Sequence, residues 1–505
     1  MLKSLEVHWS NDSEKKLWLF SNVVAFVLYF YIAICVPYTH DDWDWGLEVG
    51  MKQLLHANLN SRYSGNFFVV IMTRFEWIKN IIMGVVAWAI PYVFSKLNGE
   101  NVRERILYFF LINLFVIDMP VIMWAQTYGW VSGFANYIIS LLGIGLFLLI
   151  CKQYLVTENK KIGIKDLGAF LVIMLTQLFL EHVSIYLFLL SAGLFFVSVM
   201  KRKNQKQFAL LLSANMFGLL IMFSSSIYGE LFSTGVTLSH IEGLGRKFVF
   251  SPEDGLGMMI KTVVENFVSV RIFQLWRHFS WLVPVILFLS LWVLWQNRKQ
   301  SGIKGKVLMV GNILTMLAFA FYMYQQHIAH NYQGLDVSLG LFYVWFHVLI
   351  CLMLWEITDR RIARVALFFW ISAVVVLVPL AAVAERNDRL YLVSYFFIVI
   401  TVVMQVLYLF RKAKEEEKNK IVIIIGLTVL FLFFMRCVIY TGILQTTLEN
   451  RDRMEQVIEV QGDSLELVPY DNAGFLWFEY PSTEERVVYY KEFYGIPETV
   501  NVTFP

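Results

Sequence analysis

Tyr38-Thr39-His40-Asp41-Asp42-Trp43-Asp44-Trp45 follows directly on an apolar run from Leu17 to Pro37. A run of that length can cross a hydrocarbon core, which takes about 20 residues for roughly 30 Å. Three carboxylates and two tryptophans therefore sit where a membrane span meets water. Tryptophan at that depth is an ordinary anchor. Adjacent carboxylates there are not, because desolvation and mutual repulsion both oppose their charge. The stretch calls for a compensating partner or a task.

The rest of the chain repeats the apolar pattern. Its 505 residues are 58% hydrophobic and only 16% charged, against about 25% charged for a soluble domain. Apolar runs predict about thirteen transmembrane helices, over 17–37, 76–97, 106–125, 131–151, 167–181, 183–200, 207–226, 280–296, 306–326, 339–357, 363–383, 390–410 and 420–441. The fold class expected is an all-α integral membrane protein. Cys35, Cys151, Cys351 and Cys437 all fall in or at the ends of these runs and form neither a disulfide framework nor a CxxC pattern. Leu17–Pro37 has no small-x-small cleavage site and reads as a retained span.

Lysine and arginine give the orientation. Lys15-Lys16, Arg103 and Arg105, Lys152 with Lys160-Lys161, Lys201-Arg202-Lys203, Arg298-Lys299, Arg360-Arg361 and Arg411-Lys412 all fall on one side of the predicted topology. By the positive-inside rule that side is cytoplasmic. The N-terminus is then inside, and 38–75, 227–279 and 442–505 are outside. A net charge of +3 split among these loops is an orientation signal and no nucleic-acid footprint. Two domains are expected: a polytopic membrane domain over 1–441 and a small strand-containing exterior domain over 442–505, with strands at Val457–Val460 and Ser464–Val468. Interfacial helices are expected at Gly46–Leu55 and Val270–His278.

The fifth run, Leu167 to Leu180, provides about 21 Å of helix. Glu181-His182 follows, and the chain turns apolar again at once. A turn below the surface is tolerated only against protein or a water-filled cavity, and Glu181 and His182 are expected to line a cavity open to the outside. Asp118, the small and polar opening of span four from Gln126 to Tyr137, the outer loop Glu385-Arg386-Asn387-Asp388-Arg389 and Arg436 lie at the same level. Charged residues at membrane depth thus gather at the outer face.

With Asp41-Asp42, Arg62, Trp130-x-x-Gly133-x-x-Asn136-Tyr137 and Glu181-His182-Val183-Ser184 in view, the chain resembles a bacterial family of polytopic glycosyltransferases in the GT-C superfamily. More distantly it resembles the phage serotype-converting glucosyltransferases. Ser61 stands before Arg62 where the family has glycine. The resemblance implies a GT-C-like fold and an inverting sugar transfer at the exterior face of a bacterial plasma membrane. The donor would be a polyprenyl-phosphate-linked sugar and the acceptor a cell-surface glycan or glycolipid. Asp41 or Asp42 would take the proton from the attacking hydroxyl. Arg62, Arg386 and Arg389 would hold the departing phosphate. Glu181 and His182 would orient sugar or phosphate, and Trp130, Asn136 and Tyr137 would complete the donor or acceptor site, with Trp43 and Trp45 as further sugar platforms. Some members of the superfamily use a divalent cation such as Mg or Mn, which Asp41 and Asp42 would bind.

Each of these residues also has a structural reading. Asp41 and Asp42 can cap the following helix. Glu181-His182 can fix a helical hairpin, and Arg62 can snorkel to headgroups. Arg386 and Arg389 can be plain loop charges, and the tryptophans an aromatic belt. His327-x-x-His330 lacks a third metal ligand. Two rival functions remain open. A transporter or flippase of lipid-linked glycan places its charges near the midplane, often in repeated halves, whereas these charges lie high and no repeat is evident. A polysaccharide polymerase or ligase shares the polytopic form but has no need of an acidic pair after span one.

Overall fold

The computed structural model describes residues 11–56, 60–157, 161–237, 246–277, 279–327 and 335–505. Lys160, His278 and His330, named above, lie outside them. Helix dominates, and the named strands among the described residues are two of three residues each. Nine helices of the described residues are long and apolar enough to cross a membrane, or up to eleven if each of two bent pairs counts as one span. The chain is a multi-pass membrane protein by that measure. Each predicted span overlaps at least one helix, and 106–125 runs across the break between Val102–Ile117 and Val121–Ala125. Four of these helices, Val102–Ile117, Ile164–Thr176, Leu282–Gln296 and Arg360–Val375, have only 16, 13, 15 and 16 residues, about 20–24 Å.

The chain divides into two compact units, which cut across the expected boundary at 441. The first comprises residues 1–228 and 422–505, the second 229–421. The C-terminal segment is therefore part of the first unit.

In the first unit the helix Asn11–Cys35 packs along Glu76–Asn98, which also packs on Val102–Ile117 and Ile139–Val156. Asn101 starts its helix by accepting the Glu104 amide at 2.9 Å, satisfying one of the free N–H groups of a first turn. A continuous helix of 45 residues, Glu415–Glu459, carries the chain from its last apolar span into the C-terminal segment. Val457–Glu459, expected as strand, is the end of this helix. Elongating an existing helix needs no new nucleus, and the turn comes only at Gln461, where φ is 52°. The segment then forms a parallel pair, Ser464–Glu466 with Asn501–Thr503, around a short turn at Ala473–Phe475 and the helix Glu484–Tyr494.

The second unit is a helical bundle whose most extensive pairing is Arg360–Val375 with Leu392–Lys412. Asp359 caps the first of these, accepting from the amides of Arg361 and Ile362 at 3.0 and 3.2 Å. Two single β-bridges, Val236 to Lys247 and Phe248 to Val383, tie its loops.

Candidate active site around Asp41 and Asp42

The two adjacent aspartates have different surroundings. Asp42 is completely buried. Its Oδ1 accepts from the Ser132 amide at 2.9 Å and the Ser132 hydroxyl at 2.6 Å. Its Oδ2 accepts from the Thr39 amide at 2.9 Å and, more weakly, from the Val131 amide at 3.4 Å. Burial and the charge of Asp41 push its carboxyl up to about 7, against the opposing pull of the Ser132 and Thr39 hydrogen bonds. Asp42 is the pin that joins the acidic loop to the start of the helix at Val131, and its oxygens are engaged there.

Asp41 is only half-buried. Its Oδ1 accepts from the Trp130 indole at 3.0 Å. Asp44, beside them, is pushed up to about 8 by burial and by Asp41. Of the pair, Asp41 is the carboxylate with a side open to a ligand. Among the described residues no group of three or more His, Cys, Asp or Glu converges on a possible metal position. The acidic pair does not by itself fit a Mg or Mn site, which asks for six or so oxygen ligands.

Trp130 opens the helical turn Val131–Gly133. Asn136 and Tyr137 follow in a π-helical segment, Phe134–Ile138, a local widening that often marks functional sites. Asn136 Nδ2 donates to the Ser132 carbonyl at 2.9 Å. A Cβ at Gly65 would stand 2.1 Å from Asn136 Oδ1, so any larger residue there would have to displace the Asn136 carboxamide.

Arg62 precedes that helix and is engaged. Its guanidinium holds Glu181 bidentately, with Nε 3.1 and 3.2 Å from the two carboxylate oxygens and Nη2 at 2.8 Å. The side chains are 19% and 17% exposed. Tyr228 adds a hydroxyl to Glu181 Oε1 at 2.7 Å. His182, buried at 3% exposure, continues into the helix Glu181–Lys201. The turn before Glu181 lies against protein: Ser64 donates its hydroxyl to the Leu175 carbonyl at 2.8 Å and its amide to Leu178 at 3.1 Å. Ser184 bonds back to the carbonyls of Gln177 and Leu180.

Trp43 and Trp45 are buried anchors. Trp43 packs edge-on against Tyr490, with centroids 5.1 Å apart. The Trp45 carbonyl accepts from Arg74 at 3.1 Å. Arg386 and Arg389 belong to the second unit, Arg386 in a loop and Arg389 in the 3-10 turn Asp388–Tyr391 before the helix Leu392–Lys412. Sequence reading missed Arg271 there. It is fully buried and donates to the carbonyls of Glu385, at 2.5 Å, and Val383. The signal available was an arginine between Val270 and Ile272 in an otherwise apolar helical run.

The C-terminal segment was also missed as part of this site. The His40 amide donates to the Phe478 carbonyl at 3.0 Å. The Arg486 guanidinium bonds the His40 imidazole, and Phe493 packs edge-on against Tyr38 at 5.3 Å.

No protein-family model, curated protein or solved structure matches the chain.

Proposed function

We propose that the chain is a GT-C-like membrane glycosyltransferase with about thirteen crossings. It moves a sugar from a polyprenyl-phosphate-linked donor to a surface glycan or glycolipid at the exterior face of a bacterial plasma membrane. The observation that carries the reading is the contrast within the acidic pair. Asp42 is consumed by four donors, and Asp41 is left half-open at the end of the first span with its carboxylate oriented by the Trp130 indole. An orienting hydrogen bond on a partly exposed carboxylate is what a general base needs.

In this mechanism Asp41 takes the proton of the acceptor hydroxyl. The oxygen bonds the anomeric carbon from the face opposite the phosphate. The anomeric C–O bond to phosphate breaks, and its electron pair leaves with the polyprenyl phosphate. Arg62 is paired with Glu181, so it acts by holding the loop Asn60–Tyr63 against the turn at Glu181. The phosphate falls to arginines outside that pair. Thirteen crossings put the termini on opposite sides of the membrane, the N-terminus in the cytoplasm and the C-terminus outside.

The test is sugar transfer in membranes supplied with a radiolabelled polyprenyl-phosphate-hexose pool. Asp41→Asn at wild-type expression is expected to lose transfer by several powers of ten. Wild-type transfer by that variant overturns the reading, and flipping of the lipid-linked glycan is then the activity to assay.

A further inference from the structure

The aromatic corner beside Asp41 has a composition that packing alone does not require. Four rings meet there. His40 stacks on Phe478 with centroids 5.0 Å apart and planes 23° apart. It meets Trp130 and Trp477 edge-on at 5.4 and 6.1 Å. Trp477 and Phe478 touch edge-on at 4.6 Å. Trp130 in turn holds Asp41.

Two features set this corner apart from the buried rings of the segment. First, both His40 and Phe478 have left-handed backbones, with φ of 55° and 48°, and they are hydrogen-bonded to one another. A bulky residue rarely adopts this conformation, and such strain persists where the surroundings impose it, commonly at ligand sites. Second, three of the four rings are partly uncovered, Trp130 being buried: Phe478 is 44% exposed, Trp477 and His40 are half-buried, and the Arg486 guanidinium lies half-buried against the imidazole. Tyr490, on the same helix as Arg486, is by contrast 4% exposed. Aromatic faces flanked by a carboxylate and a guanidinium match a sugar ring, which offers apolar C–H faces and an equatorial rim of hydroxyls.

We infer that Trp477, Phe478 and Arg486 of the C-terminal segment, with His40, form the acceptor-carbohydrate subsite next to Asp41. The inference rests on the proposed transferase reading for the word acceptor: a base contacts the hydroxyl it deprotonates, so the rings adjoining the base face the acceptor. The lipid-linked donor approaches from the bilayer.

The test uses the full-length protein in detergent micelles. The probe is the total polysaccharide released from the envelope of the source organism and fractionated by size, with binding read by quenching of tryptophan fluorescence. Wild type is expected to bind one fraction saturably. Trp477→Ala and Phe478→Gly are expected to weaken that binding about tenfold each, in the range of an aromatic contact. Trp477→Phe is expected to restore it to within about threefold of wild type. Phe478→Gly keeps the left-handed backbone, which glycine adopts readily, and the recovery of binding in Trp477→Phe separates a lost contact from a lost fold. Absence of saturable binding by wild type, or binding as tight as wild type's by both Trp477→Ala and Phe478→Gly, overturns the subsite. Binding that depends on these rings without any sugar transfer keeps the carbohydrate site and removes the transferase. Transfer with an acceptor KM unchanged in both variants does the reverse.

Discussion

Replacing Asp42 by asparagine should change how stability depends on pH, with a sign fixed by its burial. The folded carboxyl titrates near 7 against an ordinary 3.8. Between those values the folded chain binds a proton that the unfolded chain has released, so stability is greatest at low pH and is lost as pH rises. From pH 5 to pH 7 this amounts to about 2 kcal/mol, and the loss then levels off. Asparagine removes the charge and with it this slope. It also has a fixed cost, since its carboxamide oxygen can still accept from Ser132 while its NH2 faces the Thr39 amide. Leaving that buried donor unmet costs about 1–3 kcal/mol. The variant should therefore be the less stable protein at pH 5 and should equal or overtake wild type by pH 8. Thermal unfolding in detergent micelles, followed by tryptophan fluorescence at half-unit steps from pH 5 to 8, reads both curves. Two parallel curves would refute the argument that Asp42 is a buried acid raised by its surroundings.

The Arg62–Glu181 pair should behave as a structural clamp. Glu181→Gln leaves a mostly buried guanidinium uncompensated and should cost about 2–4 kcal/mol, while the double variant Arg62→Met with Glu181→Met should recover most of that loss, as a double-mutant cycle by thermal unfolding would show. Gly129→Ala should unseat the C-terminal segment, because its Cβ would stand 1.9 Å from the Phe475 carbonyl oxygen; a stability loss of about 1–3 kcal/mol is expected, with faster proteolysis of residues beyond 470. Trp130→Phe keeps the ring but removes the hydrogen bond to Asp41, so transfer should fall about 10- to 100-fold with the unfolding midpoint nearly unchanged.

Much of the helical architecture can be read from apolar run length. The run Leu17–Pro37 became the helix Asn11–Cys35, and the short run before Glu181 became a 13-residue helix with a protein-lined turn. These are local properties, set by hydropathy over a window the length of the element. The distinction between Asp41 and Asp42 is not local. It depends on Ser132, 90 positions away, and on Trp130, 89 positions away. Arg62 reads as a free cation because Glu181, 119 residues on, is invisible to any window. The C-terminal segment is the clearest case: its alternating residues suggested strands at 457–460, and the adjoining helix overrode that preference. Its docking onto Tyr38–Gly46 depends on Tyr490 and Phe493, whose partners lie more than four hundred residues earlier.

The most direct measurement is the comparison of Asp41→Asn with Asp42→Asn in sugar transfer from the radiolabelled polyprenyl-phosphate-hexose pool, at matched expression and at pH 8, where the fold of the second variant is expected to be intact. The account predicts transfer reduced by several powers of ten for Asp41→Asn and a loss of no more than about 100-fold for Asp42→Asn, which acts only through the position of Ser132 and its loop. Equal and complete loss from Asp42→Asn with full transfer by Asp41→Asn would contradict it.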